Sequence, residues 1–183
     1  SGSALLNPAG KLRILGDLPG KAICFYQDRE GAIWAATDKS FGRYRRDADL
    51  VFEQQRGPNQ DVETVFEDRE GSLWIGTSGS GVARYRFGAF VPYTTREGLA
   101  DDRTNTIFQD SKGDIWIGGP HGLSRKTASG VSTVHQEDFG GGAVRSIAED
   151  EGGDLWVGTS KGVARFDRRH WIQMGSRDGV PLD

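Results

Sequence analysis

The sequence predicts an all-β protein, a β-propeller of about four four-stranded antiparallel blades. Three observations lead there: a motif present four times, a fixed spacing between its copies, and strand-type patterning on both sides of each copy. EDREGSLWIGT at 67–77 has counterparts in QDREGAIWAAT (27–37), QDSKGDIWIGG (109–119) and EDEGGDLWVGT (149–159). Trp34, Trp74, Trp116 and Trp156 stand 40, 42 and 40 residues apart. An Asp precedes each Trp by six residues (Asp28, Asp68, Asp110, Asp150) and a Gly by three (Gly31, Gly71, Gly113, Gly153). A period near 40 with Gly and Trp markers belongs to propeller and solenoid repeats.

Each element has a local reason. The Asp-x-x-Gly segment is turn chemistry, because Asp bonds backbone amides ahead of it and Gly accepts a positive φ. Before the turn, AICFYQ (22–27), VETVFE (62–67), TNTIFQ (104–109) and VRSIAE (144–149) interleave apolar and polar residues as first strands. The Trp segments form the second strands. A further Gly (Gly42, Gly81, Gly122, Gly162) opens the third strands GRYRR, GVARYR, GLSRKT and GVARF. DLVFEQ (49–54), AFVPYT (89–94), GVSTVHQ (130–136) and HWIQM (170–174) read as fourth strands. Four short strands per period match a propeller blade, and no stretch has a helical period. The Trp in each second strand then wedges between neighbouring sheets.

Composition agrees and narrows the function. Gly accounts for 27 of 183 residues, as many tight turns require. Net charge is −3, with 23 basic and 26 acidic residues mixed along the chain, so no basic stripe points to nucleic acid. No apolar run is long enough to span a membrane, so this fragment itself makes no membrane contact. The single cysteine, Cys24, excludes an internal disulfide and reads as a small buried strand residue. No Cys/His spacing suggests zinc, and each Asp-x-x-Gly turn offers too few oxygens for calcium, so neither a metal nor a cofactor is implied.

Taken in order, residues 1–21 comprise Ser1-Gly2-Ser3, which reads as a tag remnant, and KLRIL (11–15), a lone strand placed like the fourth strand of a preceding blade. Blades follow at 22–61, 62–103, 104–142 and 143–175. The tail 176–183, SRDGVPLD, resembles the TREGLADD linker (95–102) and points toward a further blade, as if the chain were an excerpt of a larger propeller. A blade is apolar on both faces, so an open arc of four leaves two such faces in water. Four blades close into a small ring, or two copies join into a homo-oligomer that completes a larger one. Self-association is the expectation, and light scattering checks it, because a clean monomer of 20.0 kDa overturns it.

The succession Asp-x-x-Gly-x-[Leu/Ile]-Trp-[Ile/Val]-Gly-Thr, Gly-[Val/Leu]-x-Arg-[Tyr/Phe] and Asp-Gly-[Leu/Val]-Pro closely resembles the two-component regulator propeller repeat. The copies at 67–86 and 149–167 match best. The first copy departs with Ala36 in place of the second Gly and with two extra loop residues around Lys39–Phe41, and the third with Gly119 in place of Thr. The resemblance implies an extracytoplasmic sensor region, periplasmic in location, of a bacterial membrane receptor such as a hybrid histidine kinase or diguanylate cyclase. It also implies signal transduction on binding a small, commonly carbohydrate-derived ligand.

Propellers bind at one mouth of the central channel, on the loops joining strand four to strand one and strand two to strand three. The first-strand position five before the turn Asp reads Ile23, Glu63, Asn105 and Arg145, differing where the framework repeats. Glu63, Asn105 and Arg145, with Lys39, Asp61, Arg103, His121 and Phe139, are therefore the candidate ligand-binding residues. Drift on a solvated surface produces the same variation.

Two enzyme readings compete. A propeller glycosidase needs carboxylates at a fixed separation, for which Asp101-Asp102, Asp61/Glu63 and Glu137-Asp138 are available. The sialidase Asp-box does not match, since its spacing is five and its leading Ser is missing here. A streptogramin-lyase-like propeller needs a channel histidine, and His121, without a paired acid, is alone on a suitable loop. A protein-interaction or purely structural propeller is the remaining alternative, with RYRRDAD (43–49) and RFDRRHW (165–171) setting Arg beside aromatics on outer turns. No catalytic residue is assigned, and the expectation is a non-catalytic sensor.

Overall fold

The computed structural model describes residues 4–6, 12–14, 21–37, 40–44, 52–55 and 62–174. A short hairpin pairs β1 (Ala4–Leu6) with β2 (Leu12–Ile14). The first four-stranded sheet contains β3 (Ala22–Gln27), β4 (Ile33–Thr37), β5 (Phe41–Tyr44) and β6 (Phe52–Gln55). The second contains β7 (Val62–Glu67), β8 (Leu73–Thr77), β9 (Val82–Arg86) and β10 (Ala89–Tyr93). The third contains β11 (Thr106–Gln109), β12 (Ile115–Gly119), β13 (Gly122–Thr127) and β14 (Gly130–Val134). The fourth contains β15 (Val144–Glu149), β16 (Leu155–Thr159), β17 (Gly162–Phe166) and β18 (Trp171–Met174). Each is an antiparallel meander in sequence order, and the first strands β3, β7, β11 and β15 pack in succession. This is the propeller arrangement, with each meander a blade.

The turn between first and second strands explains why Asp and Trp keep a six-residue spacing. One carboxylate oxygen of each Asp accepts the amide four residues on, at 2.8 Å from Ala32, 2.7 Å from Ser72, 3.0 Å from Asp114 and 3.0 Å from Asp154. The other accepts the indole N–H of the Trp on the second strand, at 2.8, 2.8, 2.9 and 2.8 Å along the chain. The turn glycines hold φ of 82°, 78°, 93° and 84°, where a Cβ is strained. Directly across from each Trp sits an Arg of the third strand, stacked 5.2–6.0 Å from the ring: Arg43, Arg84, Arg125 and Arg165. The indole is thus bonded at its edge and covered on a face by a cation.

Blades are joined at seams, each with its own apolar core. Trp34 packs with Leu73 and Ile75 of the next sheet, Trp74 with Ile107 and Ile115, and Trp116 with Val144, Leu155 and Val157. A polar contact repeats beside each core. The amide following the turn Asp donates to the last side chain of the next first strand: Arg29 to Glu67 (3.0 Å), Arg69 to Gln109 (2.8 Å) and Ser111 to Glu149 (2.6 Å). The Trp is therefore the interblade wedge that its strand position predicts. Trp156 differs: it is half-buried where the other three are at most 3% exposed, and no described sheet covers its face.

Second-strand glycines sit where backbones close in. A Cβ on Gly118 would fall 2.4 Å from Val144 Cγ1 of the next blade, which leaves no room for alanine. A Cβ on Gly119 would lie 2.3 Å from the carbonyl oxygen of Arg103, which explains the missing Thr of the third copy. One expectation needs correction. KLRIL is not a lone strand, because Leu12–Ile14 pairs with Ala4–Leu6. The linker between blades two and three contains a 3-10 turn, Thr95–Glu97, closed by a capping box in which Glu97 bonds back to the Thr94 amide at 2.7 Å.

Candidate ligand site at the channel mouth

A recurring irregularity marks the first strands. The register of pairing slips between Ala22 and Cys24, between Val62 and Thr64, and between Val144 and Ser146. The residue left over in each slip is Ile23, Glu63 or Arg145, and all three are exposed. Asn105 holds the equivalent place, with its amide on the Gly118 carbonyl at 2.8 Å and its side-chain nitrogen on the Val144 carbonyl at 2.8 Å. A bulge re-aims one side chain while keeping the strand on the core, so the framework repeats while Ile23, Glu63 and Arg145 are free to differ.

The loops over this end supply the remaining groups. Arg103 is exposed, and its amide donates to Asp101 Oδ1 at 3.0 Å. His121 is not without an acid: its Nδ1 lies 2.6 Å from Asp101 Oδ2, and its backbone amide donates to the same oxygen at 3.1 Å. The two residues are 20 apart in sequence, on different loops, so spacing did not reveal the pair. The imidazole remains largely in solvent, its side chain 75% exposed. Asp102 is occupied by the Thr95 amide and hydroxyl, at 2.7 and 3.2 Å, and serves the loop. Glu137 and Asp138 are exposed. Phe139 is buried in the core of the third seam, its ring 5.7 Å from that of Trp171, and acts as packing under the mouth. Lys39 and Asp61 lie outside the described residues.

Elsewhere, sequence reasoning missed Arg168. It sits on the β17–β18 turn at φ 72°, an uncommon conformation for a side-chain-bearing residue. Its guanidinium donates to Asp110 Oδ2 at 2.6 Å, to Glu149 Oε1 and to the Gly153 carbonyl, spanning blades three and four. Nothing in the RFDRRHW segment distinguishes it from the neighbouring Arg169.

The two component regulator propeller model matches residues 56–79, 98–121 and 138–161. Among solved structures, the chain is similar to an extracellular domain assigned to the hybrid two component system BT3049 from B. thetaiotaomicron, at 22% identity and TM-score 0.80. That match covers 98% of this chain and 27% of the other. The extracellular domain of the BT4673 system from the same organism follows at 24% identity, TM-score 0.63 and coverage of 93% and 27%. Virginiamycin B lyase from Staphylococcus aureus shares the fold at 16% identity and TM-score 0.70, over 99% of this chain and 66% of that one. No curated protein matches by sequence. The chain therefore spans about a quarter of the length of these two extracellular domains. Among the described residues no helix is long and apolar enough to cross a membrane.

Proposed function

Because this chain is built of two-component regulator propeller repeats, we propose that it is a non-catalytic, ligand-recognising part of an extracytoplasmic sensor region in a bacterial two-component-type receptor. The ligand is a small or carbohydrate-derived molecule held at the channel mouth. One observation carries this reading: the exposed bulge residues Glu63 and Arg145, and Asn105 at the corresponding place just before its strand, differ from blade to blade on a framework that otherwise repeats. They combine an anion, an amide and a guanidinium, a set suited to polar ligands rich in hydroxyl and carboxyl groups.

A thermal-shift and calorimetric screen against oligosaccharides and their acidic derivatives tests it. A hit without turnover is expected. The double variant Glu63→Ala/Arg145→Ala should weaken that hit at least about tenfold, the scale of losing one or two hydrogen bonds to charged groups. Its melting temperature should stay close to wild type, since both side chains are exposed. A screen with no hit, or a double variant that binds like wild type, overturns the proposal.

The His121–Asp101 pair favours a second reading, lyase-like chemistry, because a carboxylate-oriented imidazole is a general base and a lyase shares the fold. Released product in the same screen, lost in His121→Ala, would establish that reading instead.

A further inference from the structure

The turns that carry Asp28, Asp68 and Asp110 lie at the opposite end of the blades from the mouth, and the three seams there are built to one plan. Each brings together a turn Asp, the last side chain of the next first strand, a turn glycine carbonyl and a residue of the next third-to-fourth-strand turn. In the third seam these are Asp110, Glu149, Gly153 and Arg168, and the arginine donates to the other three. In the second seam Gln109 replaces the Glu, its own amide donates to Glu70 Oε2 at 2.9 Å and to the Gly113 carbonyl at 3.4 Å, and Ala128 takes the turn position. That seam has an amide where the third has Glu149, and no arginine at the turn position.

The first seam keeps the acceptors and lacks the donor. Asp28, Glu67 and Gly71 stand where Asp110, Glu149 and Gly153 stand, but the turn position is Phe87, a side chain 91% exposed at φ 52°. Glu67 Oε2 accepts from the Tyr26 hydroxyl and the Arg29 amide, at 3.3 and 3.0 Å. Among the described residues, nothing donates to Glu67 Oε1 or to the Gly71 carbonyl. All three acceptors line one cleft of about 700 Å³, whose wall includes Trp34 and Tyr85. Four arginines border it; Arg29 reaches Glu67 through its backbone amide, and among the described residues no arginine side chain donates to these three acceptors. Arg29 donates to the Arg69 carbonyl at 2.8 Å, and Arg69 to the Asp110 carbonyl at 2.5 Å. Arg43 lies over Trp34 and Arg86 over Phe87.

We propose that the cleft between blades one and two is a binding site for a guanidinium group supplied from outside the chain, held by Glu67, Asp28 and the Gly71 carbonyl. The template is internal: the same three groups hold a guanidinium in the third seam. A planar fork with several N–H donors meets two carboxylates and a carbonyl, an arrangement a single ammonium satisfies less completely. The aromatic wall suits the apolar faces of such a group. The site is separate from the mouth, so its failure and that of the mouth are told apart by the residues mutated.

Calorimetric titration with agmatine, a guanidinium without a carboxylate, and with a short arginine-containing peptide tests this, with the lysine-containing peptide as control. Wild type is expected to bind at least one arginine-type probe and to bind the lysine peptide more weakly. Binding of agmatine alone, or of the peptide alone, identifies the source as a small molecule or a protein segment. Glu67→Gln should weaken binding about tenfold or more, the scale of one charge-assisted hydrogen bond. Phe87→Arg supplies the absent arginine at a position where Arg168 shows that a positive φ is tolerated. That variant should fill the cleft, abolish binding and raise the melting temperature, which excludes misfolding as the cause. No binding of either arginine-type probe to wild type, or undiminished binding to both variants, overturns the proposal.

Discussion

Trp116→Ala is expected to lower folding stability by about 3–5 kcal/mol, the cost of emptying a fully buried indole site. Trp116 is 1% exposed and lies edge-on to Phe166 and Trp171 of the fourth blade, at 6.0 and 6.3 Å between ring centres. Its loss opens a cavity between two sheets, so transfer and cavity costs add, and it removes one of the two donors to Asp110 Oδ2 while the Arg168 guanidinium stays. Trp156→Ala is the internal control, because Trp156 makes the same bond to its Asp at 2.8 Å but has no described sheet over it. Urea unfolding of both variants should show a markedly smaller loss for Trp156→Ala. Equal losses would mean that the indole acts through its own turn and not through the seam.

Arg168→Met is expected to be of similar size, about 3–5 kcal/mol at neutral pH, because it strands two carboxylates that share one buried cation. The Arg168 side chain is 14% exposed, Glu149 12% and Asp110 0%. Burial pushes the Asp110 carboxyl up, but the bonds from the Trp116 indole, the Arg168 guanidinium and the Asp114 amide outweigh it and leave the group below the usual carboxylate range. A carboxyl depressed in the folded state contributes stability that is full above its unfolded value, about 3.9, and is lost as pH falls through the folded value. Wild type should therefore lose stability below about pH 4. The penalty of Arg168→Met should be largest near pH 7 and shrink toward pH 3, because without the guanidinium Asp110 takes up a proton more readily than in wild type. Unfolding midpoints at the two pH values check this, and a penalty that does not change with pH would remove Arg168 as the counter-charge.

The frame was legible because its signals are local. Asp28 and Trp34 or Asp68 and Trp74 sit six residues apart within one hairpin, and a hairpin register is fixed by its turn. Four copies repeated that signal, so strand order and the Trp wedge followed from the sequence. The capping box around Thr94 and Glu97 was equally local, yet it passed as linker because it closes only one 3-10 turn. The bulge positions were marked by their variation, although the slip in register behind it has no sequence signature.

Contacts between loops were not legible. His121 meets Asp101 across 20 residues, and Arg168 meets Asp110 across 58. Phe139 was grouped with the mouth by its loop and turned out to be core, since an aromatic in a glycine-rich segment reads the same in either place.

The sequence alone determined that this chain folds into repeated antiparallel sheets, because alternation and turn chemistry act between neighbours and repetition multiplies their signal. Only the tertiary structure decided which carboxylates meet a guanidinium and which stand open to a cleft. Those groups come from different blades, and nothing short of the packed seam brings them within bonding distance.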